Sequence, residues 1–308
     1  MQIAFSILNV MGGMTEISTS QSVSEMLRGC SIEIGPTHPK MLDAALERLE
    51  PGTEVFLPWI PGANPMDAVL PAARLRRAGL IPVPHIGARH LESGTQLDQF
   101  IARLVGDAGV DRALVVGGDR AKPAGPYESS LEVMQTGVFQ KAGIVRIAIG
   151  GFPEGNPHIP LAVLDEALSA KMNFARSVGL KLSIVTQFAF AAGPIIKWLK
   201  EVRSRGIDVP VQIGLAGPAG IVSLMRFAVR CGIGNSLHVL AENPSFAKLL
   251  VEKGPEPIIR DVCAAAQTEG DSLALGIAGL HFYVFGGFNK TVDWIEAHRA
   301  ANFHSAHT

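Results

Sequence analysis

No basic block, no long apolar run and no cysteine framework occur in this 308-residue chain. With 27 Lys and Arg against 28 Asp and Glu, the formal net charge is −1. Nucleic-acid binding therefore has no electrostatic support, and neither does an anionic membrane surface. No stretch reaches about 18 uninterrupted apolar residues, so no membrane span is expected. Met1–Met14 lacks the positive start and small-residue cleavage site of a signal peptide. The three cysteines, Cys30, Cys231 and Cys263, show no CxxC spacing. That usage suits a reducing cytoplasm, with Cys30 and Cys231 as buried apolar fillers and no zinc site. No GxGxxG follows a strand and no GxxxxGK[ST] is present, which removes the dinucleotide fingerprint and the P-loop.

Hydrophobic residues make up 47% of the chain, enough for a large core. They fall in short continuous runs alternating with longer amphipathic stretches, the rhythm of a parallel sheet covered by helices. Eight strands are expected: Ser31–Gly35, Glu54–Trp59, Ile81–Ile86, Arg112–Gly118, Arg146–Phe152, Leu182–Phe188, Val209–Gly217 and Gly279–Phe285. Helical patterns fill the gaps at Pro39–Leu49, Pro65–Ala78, Thr95–Gly106, Glu128–Ala142, Ala162–Val178, Gly193–Arg205 and Ala219–Cys231. Eight repeated units without a switch signature predict an α/β fold, a closed (β/α)8 TIM barrel, over an open doubly wound sheet. The whole chain reads as one domain. Residues 1–29 form an N-terminal extension, 232–270 a helical insertion with helices at Pro244–Lys253 and Glu256–Thr268, and 301–308 a flexible tail.

Most of these runs end in a polar group, as barrel active sites do. Glu33 closes the first. Desolvation there would raise its pKa and suit it to general acid work; a structural ion pair is the other reading. Asp119 follows Gly117 and Gly118, whose bare backbone could lie against a cofactor or substrate edge. Gly150–His158, dense in Gly and Pro, exposes Phe152, Asn156 and His158 as a ligand loop or a rigid turn. His85 reads as a satisfied core histidine or a ligand. Gln187, a buried amide, needs partners. His281 and Tyr283 share one face of the last strand, and Trp59 offers a wall for a flat ligand.

In order along the chain, these segments resemble the methylenetetrahydrofolate reductase family. Ser31–Pro36 is similar to its SFEFFPP opening, Val83-Pro84-His85 to its APH strand, and Leu114–Asp119 to its LALRGD segment. Gly151–Pro157 is similar to its GYPEGHP loop, Ile184–Phe188 to its ITQ strand, and Leu280–Tyr283 to its closing HFY strand. The resemblance implies a barrel that reduces 5,10-methylenetetrahydrofolate to 5-methyltetrahydrofolate with NADH or NADPH through FAD. It implies Glu33 as the acid and Asp119 as the flavin-side aspartate. Gln187, Phe188 and Tyr283 would bind substrate. Trp59, His85, Gly117, Gly118, Asp119, Phe152, Glu154, Asn156 and Lys171 would bind the cofactor. The family's arginine is Gly117 here, its loop tyrosine and histidine are Phe152 and Asn156, and its basic helix run reads Asn173–Gly179. These departures fall on the flavin anchors. Two alternatives therefore stand beside the flavin route: direct hydride transfer without flavin, and a non-redox pterin-binding partner subunit. A cytoplasmic location is expected, and a homo-oligomer would be unsurprising.

Overall fold

The computed structural model describes residues 23–60, 62–231, 253–268, 275–285 and 287–300. Eight parallel strands pair in sequence order and close, β8 returning to β1. They are β1 (Ser31–Glu33), β2 (Glu54–Leu57), β3 (Ile81–Gly87), β4 (Arg112–Val116), β5 (Arg146–Gly151), β6 (Lys181–Thr186), β7 (Val211–Ala216) and β8 (Ile277–Tyr283). The helices outside them are α1 (Pro39–Arg48), α2 (Val69–Arg77), α3 (Gly94–Ala108), α4 (Ser130–Gln135), α5 (Val138–Lys141), α6 (Leu161–Val178), α7 (Ala192–Ser204), α8 (Ile221–Cys231), α9 (Glu256–Thr268) and α10 (Phe288–Ala300). The TIM-barrel expectation is met.

The continuous apolar runs are explained by burial on both strand faces. Ile32, Val55, Ile86, Val115, Ile147, Ile184 and Ile213 point outward into the core under the helices. Alternate residues point inward, where Phe56, Val83, Leu114, Ala148 and Val185 pack on the barrel axis. Local signals start the helices. Ser93 and Ser129 accept hydrogen bonds from the backbone N–H groups of Gln96 and Glu132. The side chains of Gln96 and Glu132 reach back to the N–H groups of Glu92 and Glu128, which holds the entering chain in place.

Differences from expectation lie at boundaries. The helix expected over Glu128–Ala142 is two helices, α4 and α5, because Gly137 breaks it with a φ of 74°, in the left-handed region. Strand β2 stops at Leu57, before Pro58, and β8 begins and ends two residues earlier than expected. The expected helix Glu256–Thr268 is present as α9 and packs against α7. The expected helix Pro244–Lys253 lies outside the described residues except at its end, as do the expected tail and most of the N-terminal extension. Cys30 is buried as expected, and so is Cys263; the side chain of Cys231 falls outside the described set. Among the described residues no helix is long and apolar enough to cross a membrane.

One glycine is needed for closure near the mouth. A Cβ on Gly214 would lie 2.1 Å from the Thr186 carbonyl oxygen and 2.9 Å from the Tyr283 ring. Thr186 also accepts from the Gly214 N–H through its hydroxyl, while the Tyr283 hydroxyl donates to the Thr186 carbonyl. Gly214→Ala should therefore overpack the β6–β7–β8 seam and cost about 1–3 kcal/mol. A lower urea midpoint by circular dichroism is the expected outcome; an unchanged midpoint would mean the seam can yield.

Candidate active site

The carboxyl ends of β1, β3 and β8 bring three sequence-predicted residues together. Glu33 ends β1, in register with Phe56 of β2 and Tyr283 of β8. His85, inward-facing on β3, sets its Nε2 3.6 Å from Glu33 Oε2. That separation is too long for a hydrogen bond, and His85 Nε2 makes no hydrogen bond among the described residues. Glu33 keeps 20% of its side chain accessible and His85 12%, so both are half-buried and reachable from the mouth.

Burial decides their charge. Desolvation pushes the Glu33 carboxyl up to about 8, and the same cause lowers His85 to about 3. At neutral pH the pair is thus a protonated acid facing a neutral imidazole. A small side-chain rotation would join them, and the acid proton is free to go to a ligand instead.

Beneath them, the His281 ring meets Phe56 and Tyr283 edge-on at centroid distances of 4.5 and 4.7 Å. His281 is buried and also falls to about 3, through desolvation and then the neighbouring His85. Its Nδ1 is 2.9 Å from Ser31 Oγ, which also lies 3.4 Å from both Gln212 Oε1 and the Leu280 carbonyl. This network fixes His281 as a support beneath the mouth.

The β2, β3 and β4 exits form one rim. Trp59 stacks on His90, with centroids 5.7 Å apart and planes 24° apart. His90 Nε2 is paired with Asp119 Oδ1 at 2.7 Å. The His90 ring lies over the bare backbone of Gly87 and Gly118; a Cβ on Gly118 would approach its Cδ2 to 2.8 Å. Arg89 clamps the following loop. Its guanidinium donates to the carbonyls of Arg120, Ala121 and Glu128. Gly125 sits so close to Glu92 that a Cβ would fall 2.3 Å from its carbonyl oxygen.

The remaining predicted residues spread out. Gln187 is half-buried at the end of β6, where its N–H donates to the Gly151 carbonyl. Tyr283 reaches the mouth, stacked on Phe285. Phe188, two residues beyond the end of β6, is buried against Phe190, Tyr283 and Phe285. Phe152 folds its ring back over Gly150. Asn156 accepts from the His158 N–H and so stiffens its own turn. Glu154 is half-buried in the same turn. Gly117 keeps open space above it, and its carbonyl accepts from the Arg89 N–H. Lys171 lies within α6, where burial lowers its amine. No contact joins Asp119 to Glu33 or His85.

The implied flavin needs a flat slot and an anchor for its diphosphate. Trp59, Phe152 and Tyr283 offer flat faces. The glycine surface expected to receive the cofactor, however, is covered by His90, Asp119 is paired there, and the Arg89 guanidinium is bound to carbonyls. The residues do not fit the flavin dinucleotide in the implied place. Sequence reasoning missed His90 and Arg89, which sit in a three-residue 3-10 turn, Ala88–His90, with no periodic signal. Among the described residues no cluster of His, Cys, Asp or Glu could hold a metal ion. No protein-family model matches the chain.

The raised Glu33 pKa makes stability fall with pH. Between about 4.5 and 8 the folded chain holds a proton that the unfolded chain has released. His85 and His281 act oppositely, adding stability as pH rises from about 3 to 6.5. In Glu33→Gln the first effect vanishes. The melting temperature of this variant relative to wild type should climb steadily between pH of about 5 and 8; a constant difference would place the Glu33 proton elsewhere.

Proposed function

We propose that this barrel is an oxidoreductase that reduces 5,10-methylenetetrahydrofolate to 5-methyltetrahydrofolate with NAD(P)H. Glu33 is its general acid. The observation that carries this reading is a carboxyl held protonated to about pH 8 at the mouth of a closed barrel, beside a neutral histidine. The strand-end motifs supply the substrate class.

Reduction needs the bridge between N5 and N10 opened. Glu33 gives its proton to N10, the bond from N10 to the methylene carbon breaks, and N5 carries the resulting iminium. The carboxylate left behind is an anion in a low-dielectric site beside that cation and stabilises it without reorganisation. Hydride from the nicotinamide then reduces the methylene to a methyl group, and Glu33 regains a proton from solvent. Neutral His85 adds no repulsion to the cation. Gln187 offers an amide to the pterin edge, and Tyr283 a flat face.

Of the two hydride routes, the covered glycine surface favours direct transfer from NAD(P)H over passage through FAD. Asp119, implied as the flavin-side aspartate, holds His90 at the rim in this route.

Two measurements test the proposal. Glu33→Gln should lower folate-dependent NAD(P)H oxidation by roughly 10²- to 10⁴-fold. It should retain 5-methyltetrahydrofolate binding by calorimetry, and the wild-type rate should decline above pH of about 8. Parallel loss of binding and turnover would remove the acid assignment. The purified protein should be colourless and take up no added FAD. Flavin absorption that bleaches with NAD(P)H and returns with methylenetetrahydrofolate would move the hydride route to flavin and leave the role of Glu33 standing.

A further inference from the structure

The opposite end of the barrel carries a second constellation. Arg112, Arg146 and Lys181 begin β4, β5 and β6, and they are in register with one another across the three neighbouring strands. All three lie on the inward face, because Leu114, Ala148 and Val185, two or four residues further on, pack on the barrel axis. Like charges side by side on adjacent strands repel.

Only part of that charge is answered. Arg112 is bonded to Glu54 at 2.5 Å and to Asp111 at 3.1 Å. Both Glu54 oxygens are engaged, the second by Gln212 Nε2. Among the described residues Arg146 pairs only with Asp111, at 3.9 Å, and that carboxylate already pairs with Arg76 as well as Arg112. Burial raises the Asp111 carboxyl, but hydrogen bonds and charge from Arg112 and Arg76 outweigh it and hold it down to about 2, so it is fully ionised and fully shared. Lys181 makes no side-chain ion pair or hydrogen bond among the described residues. The cluster therefore sets four cations, counting Arg76, against two carboxylates.

The space above them is open. Barrel interiors are ordinarily filled by layers of bulky side chains. Here Ala148 and Ser183 are small, and a cavity of about 170 Å³ runs between the three cations, Glu54 and Gln212, up to Phe56 and Val83. That is several times the share of one water, about 30 Å³.

The geometry points to an anion site in the barrel floor, taking a phosphate group, either free or carried on a small metabolite. Arg146 and Lys181 supply the unanswered charge, Ser183 a hydroxyl donor, and the small residues the room. Such a site is separate from the mouth, so it stands or falls independently of the reductase proposal.

The test is isothermal calorimetry with inorganic phosphate and with glycerol 3-phosphate, at constant ionic strength set by chloride. Saturable binding is expected for the wild-type protein. Affinity should weaken roughly tenfold for each cation removed in Arg146→Gln and Lys181→Met. Ala148→Leu, which fills the cavity without touching a charge, should abolish binding. Lys197→Ala, a distant surface change, should leave it unaltered. Tighter binding of glycerol 3-phosphate would identify a phosphorylated metabolite, and equal or weaker binding the free anion. No saturable heat with either probe, or binding indifferent to Ala148→Leu and to both cation variants, would overturn the inference.

Discussion

The withdrawal of one carboxyl from water organises the upper half of this barrel. Glu33 sits at the end of the shortest strand, in register with Phe56 and Tyr283, with the His85 imidazole 3.6 Å away. Closure of the sheet around it, rather than any partner charge, sets its protonation. Were the β8–β1 edge open, water would reach the carboxyl and its acid strength would return toward that of an ordinary glutamate. Fold and chemistry are therefore one constraint here: the seam that completes the barrel also keeps the proton on Glu33.

Around that centre the molecule separates charge from chemistry. The mouth holds neutral or internally paired groups: protonated Glu33, neutral His85, and Asp119 tied to His90. The floor holds three cations in register, Arg112 half-buried and Arg146 and Lys181 exposed. Between them run Glu54, Gln212, Ser31 and His281, a line of polar side chains in contact from the floor to the layer below the mouth. Each member is satisfied by the next, which makes a polar thread tolerable inside an apolar barrel.

The fold was legible because strands buried on both faces leave an unmistakable trace, uninterrupted apolar runs such as Ala113–Val116 and Ile147–Ile149. Their ends were less clear. Pro58 and Trp59 remain apolar after the ladder stops, and Gly137 breaks a helix whose composition continues. Glu33 and His85 could be found from position, since they close apolar runs, and Tyr283 from alternation, since it shares a strand face with His281. The pairing of Asp119 with His90 could not: it links residues 29 apart in sequence through a turn without periodicity. Nor could the floor cluster, where Arg112, Arg146 and Lys181 each look like an ordinary solvated strand start until strand pairing puts them side by side.

The rim clamp has a consequence for how the mouth can move. Arg89 binds three carbonyls of the loop after β4, and His90 is wedged between Trp59 and Asp119. The β2, β3 and β4 exits thus behave as one stiff jaw whose members cannot open separately. On the opposite side Tyr283, Phe285 and Phe227 stack ring on ring, with Tyr283 tied to the Thr186 carbonyl through its hydroxyl and the two phenylalanine rings held by packing alone. The mouth is thus bounded unequally, by a jaw of hydrogen bonds on one side and a stack of aromatic rings on the other.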